Sequence, residues 1–262
     1  MKLIPFVVLL LLTSAIEAKT LEELDWVIDQ GVGAVAGVAT VKVTRGFAYL
    51  DKANTDEFLK MSGNPPNGVS YTIAPTDLRW FGILQFDDVG FIKDDEKLDS
   101  NDLLDKLKLN TEKGNEYRNK NGYKSLTLEG WASPPNYDKQ SQRLEWGTKL
   151  RDDQGQITVN MTTKILGRSG FTKVILVTNP NTYQEDWSEF KGYLTNFEYN
   201  QGEKYSEWKS GDKVAAYGLG ALVLGGAAAA ATTKGGIKAI GLAILAGLAV
   251  LWAGLKRIFG KK

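Results

Sequence analysis

The sequence predicts an α+β domain, in which a largely antiparallel sheet is packed with helices, followed by a C-terminal transmembrane helix or helical hairpin. Four runs rich in β-branched residues follow one another between residues 126 and 178, separated by turns of hairpin length. Segments with helical periodicity lie on both sides of these runs. The last fifty residues contain no acidic side chain and carry two long stretches of Gly, Ala and Leu.

The first half of the chain mixes helices and strands. Apolar periodicity predicts an amphipathic helix over residues 21–30, and Thr55 is expected to cap a second helix that ends near Met61. Three apolar segments predict strands: residues 41–50, 69–73 and 79–86. The third of these carries few charges, which indicates a central position in the sheet.

The second half predicts a meander of strands between two helices. Residues 87–95 are expected to form a turn between strands, and a helix begins near residue 101 with a polar continuation after residue 109. Apolar patterns predict four strands, a helix and a last strand: residues 126–132, 143–150, 157–166, 171–178, 184–196 and 197–199. Apolar Ile157, Val159 and Met161 alternate with Thr158 and Asn160, so one face of this sheet is expected to be solvated.

The two ends of the chain predict export and membrane anchoring. Residues 1–18 fit a signal peptide, with an uncleaved N-terminal anchor as the alternative, and both export the domain expected over residues 19–212. Residues 213–262 are expected to form a membrane anchor with a basic tail. One crossing places the tail in the cytoplasm and two crossings place it outside. Small residues at Ala239, Ala243 and Gly247 would permit self-association of anchor helices into a homo-oligomer.

Composition excludes several classes of chemistry. The chain contains no Cys and no His, so disulfides, Ser-His-Asp or Cys-His catalysis, zinc sites and His-ligated haem are excluded. Residues 19–212 hold 30 acidic against 24 basic side chains, which argues against nucleic acid as a partner. No motif indicates a cofactor. Gly31 to Ala36 match a dinucleotide fingerprint in letters only, because a strand is not expected before them.

A cluster of acidic residues is one candidate site. Asp87, Asp88, Asp94 and Asp95 lie close together around Gly90. Paired carboxylates act as general acid and base, or hold Ca²⁺ through oxygen ligands. The spacing of an EF-hand is missing, so no metal site is predicted. The simpler interpretation is a solvated turn before a helix.

A stretch rich in aromatic residues and proline is the second candidate. It combines six residues: Trp131, Pro134, Pro135, Asn136, Tyr137 and Trp146. Residues 133–138 are expected to form a loop, and a hairpin would bring the two tryptophans together. Such a group can bind a peptide or a sugar, or it can fill the edge of a core and stiffen a turn.

Several segments together resemble an uncharacterised bacterial family of membrane-anchored proteins, domain of unknown function 2167. The resemblance rests on GNPP (residues 63–66), DDVGFIKDD (87–95), GWASPPNYD (130–138), RLEW (143–146) and GDKVAAYGL (211–219). It implies a signal peptide, an envelope domain and a C-terminal anchor. It implies no activity and no catalytic residues.

The sequence therefore favours a membrane-anchored envelope protein that binds an envelope protein partner. Its main domain is expected on the extracytoplasmic side of the cytoplasmic (inner) membrane of a bacterium. The lack of any nucleophile–base pair argues against an enzyme. The alternative is a carboxylate-based hydrolase, or a metal-dependent protein, that acts on envelope glycans.

Overall fold

The computed structural model of the protein describes residues 20–62, 66–120 and 124–225. The expected signal peptide over residues 1–18 lies outside these residues, as does the expected anchor after residue 225. In the part of the chain that is described, no helix has both the length and the apolar character needed to cross a membrane.

An eight-stranded sheet forms the centre of the fold. Its strands are β1 (Val27–Ile28), β4 (Phe47–Leu50), β5 (Tyr71–Pro75), β6 (Phe81–Asp87), β7 (Leu126–Asp138), β8 (Arg143–Asp152), β9 (Ile157–Leu166) and β10 (Phe171–Val177). They are hydrogen-bonded in the order β1-β4-β5-β6-β10-β9-β8-β7, and every neighbouring pair is antiparallel. The predicted antiparallel sheet and the central position of β6 are confirmed.

A smaller sheet and, among the described residues, four α-helices surround this sheet. The smaller sheet contains β2 (Gly31–Val35), β3 (Ala39–Val43) and β11 (Phe197–Tyr199) in the order β11-β3-β2. The helices are α1 (Lys52–Met61), α2 (Ser100–Lys120), α3 (Tyr183–Tyr193) and α4 (Leu219–Val223). The polar stretch after residue 109 continues α2 without a break. The α+β prediction is thus confirmed for the described residues.

Alternating side chains divide the core between the two faces of the large sheet. On β10, Val174 and Leu176 pack with the smaller sheet and with α3, whose Phe190 is fully buried. Ile175 and Val177 point to the opposite face, where they pack against α1. Farther along that face, β7, β8 and β9 pack with α2 and α4 in a third apolar cluster.

The prediction of a helix over residues 21–30 is wrong. Only Leu21–Glu23 make a 3₁₀ turn, and Leu24 is already extended. Leu21, Leu24 and Trp26 pack beside α1, and the Trp26 indole N–H donates to the carbonyl of Leu21 at 2.9 Å. A helix of ten residues is marginal by itself, so these tertiary contacts decide the conformation.

The single strand expected over residues 41–50 is two strands in different sheets. Gly46, at φ 84°, lies in the left-handed region and turns the chain between β3 and β4. The cap of α1 was also misplaced, because the Asp51 carboxylate accepts from the backbone N–H of Asn54 at 2.9 Å. Thr55 lies inside the helix, where its buried hydroxyl is 3.0 Å from that of Thr72.

The prediction that one face of β9 is solvated is wrong. Thr158, Asn160, Thr162 and Lys164 are all buried, on the face shared with α2 and α4. The alternation of polar and apolar residues is present, but the polar side is covered. Helices α2 and α4 cover this face and the smaller sheet packs against the other, so both faces of β9 are interior.

The folded part continues beyond Asp212. Phe91 forms a parallel bridge with Val214, and α4 buries Leu219, Leu222 and Val223. These three side chains pack in the same cluster as α2, β7 and β8. The boundary expected after Asp212 thus divides residues that pack together.

Candidate binding surface

The stretch expected as a loop is the second half of an edge strand. β7 is the outermost strand beside β8, and it runs without interruption to Asp138. Ser133 pairs with Gly147 and Asn136 pairs with Glu145, so Pro134 and Pro135 together face one residue. This arrangement is a β-bulge. Proline lacks an N–H, which suits it to a bulge at a sheet edge.

The six candidate residues of this stretch differ in exposure. Pro134 and Asn136 are exposed, while Trp131, Pro135 and Tyr137 are partly buried. Trp146 is only 4% exposed and belongs to the core beneath α2 and α4, so it cannot touch a partner. The Trp131 indole N–H donates to the carbonyl of Ser100, the first residue of α2, at 3.0 Å. Trp131 therefore ties β7 to α2.

The four acidic candidates lie in different surroundings. Asp87 ends β6 and accepts a hydrogen bond from the Gln85 amide at 2.9 Å. Asp88 and Asp95 are exposed, and Asp94 is partly buried. The prediction of a turn between strands is wrong, because the chain after Asp87 runs from β6 to α2 and not to another strand of the sheet. Among the described residues no three acidic side chains are placed to hold a metal ion.

One contact joins the two candidate stretches. The Tyr137 hydroxyl donates to the Asp94 carboxylate at 3.1 Å, although the two residues are 43 positions apart. Burial raises the pKa of the Tyr137 phenol, and the charge of Asp94 raises it further. The phenol therefore stays protonated at neutral pH and donates to the carboxylate. We call Pro134, Asn136, Tyr137 and Asp94 the Tyr137 surface.

Three aromatic residues that the sequence did not single out lie next to this surface. Phe91 stacks on Tyr205 with ring centres 4.5 Å apart, and Trp208 packs on Phe91 at 5.2 Å. The Tyr205 hydroxyl donates to the carbonyl of Ile92 at 2.8 Å, and burial followed by the charge of Asp94 raises its pKa. One feature of the sequence could have indicated this group: Tyr205 and Trp208 are two aromatic residues three positions apart in an otherwise polar segment.

The segment that carries Tyr205 and Trp208 is fixed by ionic contacts. Arg168 donates two hydrogen bonds to the Asp212 carboxylate, at 2.7 and 2.8 Å. These bonds lower the pKa of Asp212 to about 2. The Glu207 carboxylate accepts from the backbone N–H groups of Gly202 and Lys204 at 2.8 and 2.9 Å. The aromatic side chains are therefore presented by an ordered segment.

Two neighbouring lysines lie on the face of the sheet that carries α2 and α4, where Lys164 is buried and Lys173 is partly buried. Lys164 on β9 and Lys173 on β10 are cross-strand neighbours. The Lys164 ammonium donates to the carbonyl of Leu222 in α4 at 2.9 Å and lies 4.3 Å from the ring centre of Phe171. Burial, and then the charge of Lys173, lower the pKa of Lys164 to about 7. No sequence motif marks this pair.

An open groove of about 680 Å³ lies elsewhere, on the outer surface of the smaller sheet. Asp29, Lys42, Arg45 and Glu198 are among the residues that line it, and none of the predicted site residues does. The hydrolase alternative stays a prediction.

Comparisons with known proteins give a family and a distant structural similarity. The family "Protein of unknown function (DUF2167)" matches residues 29–256. No curated protein matches the sequence significantly. The solution structure of cyanobacterial PsbP (CyanoP) from Synechocystis sp. PCC 6803 is similar at 10% identity and a TM-score of 0.39, over 66% of this chain and 94% of that one. The resemblance seen in the sequence motifs is confirmed, and the chain belongs to the family of proteins of unknown function DUF2167.

Proposed function

We propose that the protein is a membrane-anchored binding module of the bacterial cell envelope. In this proposal the folded domain faces outward from the cytoplasmic membrane, and the apolar segment after residue 225 anchors it. The family match supports an anchor as a common feature, because it continues through that segment to residue 256. The charge pattern supports the orientation for one crossing, since Lys256, Arg257, Lys261 and Lys262 would then be cytoplasmic.

The Tyr137 surface is the proposed contact with an envelope protein partner. The observation that carries this proposal is the Tyr137–Asp94 hydrogen bond, which fixes an aromatic ring at the edge strand that also carries the exposed Pro134 and Asn136. Tyr offers apolar contact area at a low entropic cost, and the exposed Asn amide both donates and accepts. The bulge holds these side chains in fixed positions, so little order has to be gained on binding.

Photo-crosslinking in cells tests the proposal. A photo-reactive amino acid at position 136 should give a discrete adduct with one envelope protein, and Tyr137→Ala should reduce that adduct several-fold. The matched control carries the same reactive group at position 109, since Leu109 is 55% exposed on α2, away from the Tyr137 surface. Equal adducts from both positions would contradict a specific contact. Thermal unfolding of the Tyr137→Ala protein separates lost binding from lost folding.

A further inference from the structure

Two exposed apolar side chains lie close to where the chain leaves the folded domain. Trp208 is 40% exposed and Val214 is 41% exposed, and they precede the first residue of α4 by eleven and five residues. Contiguous exposed apolar surface commonly marks an interaction site. We call Trp208 and Val214 the exit patch.

The exit patch is held rigidly. The Trp208 ring packs on Phe91, and the backbone of Phe91 is hydrogen-bonded on both sides of Val214, to Lys213 and Ala215, at 2.8 and 2.9 Å. The Arg168–Asp212 ion pair fixes the chain between Trp208 and Val214. Both side chains are thus attached to the same framework and cannot fold inward.

The geometry of the exit places the start of the apolar segment near this patch. The carbonyl of Leu222 is bound by Lys164, and Asp212 is bound by Arg168. Lys164 lies near the end of β9 and Arg168 lies two residues beyond it, so the two are separated by at most about 14 Å of chain. Only Leu224 and Gly225 separate α4 from the apolar sequence that follows, and two residues span at most about 7 Å.

The chemistry of the patch suits the boundary between water and lipid. A tryptophan indole has an apolar body and one N–H, which favours the interfacial region of a bilayer. Lys209 and Lys213 next to it are exposed. A lysine close to an anionic membrane surface is attracted to it.

We infer that the exit patch rests in the headgroup region of the bilayer that holds the C-terminal anchor. The inference rests on the proposed anchor and adds one defined orientation of the domain. Trp208 and Val214 contact lipid, and the Tyr137 surface then faces the space just above the membrane. A partner of the module is consequently met close to the bilayer.

Spin labelling tests the orientation directly, because the chain contains no cysteine. Trp208→Cys and Val214→Cys are labelled with a nitroxide in the full chain, reconstituted into nanodiscs of phosphatidylcholine with phosphatidylglycerol. The matched control is Val32→Cys, since Val32 is 65% exposed on the smaller sheet. Both exit-patch labels should show a several-fold loss of collisions with a polar nickel reagent and a gain with oxygen, relative to the control label. Equal collision rates at all three positions would overturn the inference.

Flotation of the same proteins with lipid vesicles separates the two proposals. A chain that fails to float with vesicles contradicts the anchor itself. A chain that floats while its exit-patch labels stay fully accessible to nickel contradicts the orientation alone. The Val214→Cys protein keeps the Trp208 ring, so its result stands even if replacing Trp208 disturbs the fold. Unchanged nickel protection in pure phosphatidylcholine would assign the contact to the apolar side chains, and protection only with phosphatidylglycerol would assign it to the lysines.

Discussion

At the scale of single residues, Lys164 makes the stability of the protein depend on pH. The pKa of Lys164 is about 7 in the folded chain, against an ordinary value of 10.5 for an exposed lysine. Between these values the unfolded chain binds more protons, so stability rises as the pH rises. Below about pH 7 the full cost of burying the charge is present. Lys173 adds in the same direction, because burial also lowers its pKa, and Asp87 opposes the shift of both.

The predicted result is a protein that is more stable at about pH 9.5 than at about pH 7, by on the order of 2 kcal/mol. Lys164→Met should remove most of this difference, as measured by thermal unfolding of the full chain in a mild detergent. Lys149→Met is the matched control, since Lys149 is exposed on β8 and should leave the difference unchanged. A Lys164→Met protein with the same pH dependence as the unchanged chain would contradict the assignment. The comparison stays below about pH 10, where ionising tyrosines of the unfolded chain begin to act in the opposite direction.

At the scale of secondary-structure elements, β7 is protected against pairing with other chains. It is a thirteen-residue strand at the edge of the large sheet, and such an edge invites association with further strands. Pro134 and Pro135 remove two N–H donors and bend the strand at the bulge. Sequence patterns alone predict a loop at two adjacent prolines, yet here the prolines stay within a strand because that strand lies at the edge of the sheet.

Replacing both prolines should expose a regular edge. Pro134→Thr combined with Pro135→Val supplies two N–H groups and β-branched side chains that favour a straight strand. We expect this protein to self-associate more strongly than the unchanged chain, in a concentration-dependent manner. Sedimentation velocity in the same detergent measures the difference, and Asn136→Thr on the same strand is the control. A double replacement that remains in the same oligomeric state would show that other features protect the edge.

At the scale of the whole molecule, patterns that local sequence controls were predictable. The β7–β10 meander, α3 and β11 follow from alternation and short turns, and each is present. The predictions that failed concern features that depend on residues far away in the sequence. The cap of α1 shifted to Asp51 because Thr55 is needed inside, against Thr72, and the polar side of β9 is buried because distant helices cover it. Local periodicity carries no information about such coverage.

The candidate site shows the same division. Sequence composition identified Tyr137 and Asp94 separately, since each lies in a distinctive stretch. Their hydrogen bond spans 43 positions and could not be predicted without the register of β7. The sequence also placed Trp146 at a surface, although strand alternation turns it into the core with Leu144 and Leu150. Phe91 and Tyr205 were missed because nothing local distinguishes a stacked pair from two scattered aromatics.

The boundary of the folded domain gives the last prediction. A chain that ends at Asp212 lacks α4 and so loses the buried side chains of Leu219, Leu222 and Val223. Burying one such side chain contributes about 1.5–3 kcal/mol, so the loss is on the order of 5 kcal/mol, a large part of the stability of an ordinary domain. A chain that ends at Gly225 keeps these contacts together with the Lys164 hydrogen bond to Leu222.

Thermal unfolding and limited proteolysis of the two shortened chains, both beginning at Lys19, measure this difference. The chain ending at Gly225 should unfold cooperatively and resist protease, and the one ending at Asp212 should be cleaved rapidly near α2, whose apolar face is then uncovered. Leu222→Ala in the full chain isolates one contact and should cost about 2–5 kcal/mol. Equal stability of the two shortened chains would mean that α4 only rests on the domain. In that case the segment that links the folded domain to the proposed anchor would begin at Asp212. The distance between the exit patch and the anchor would then no longer be fixed by α4.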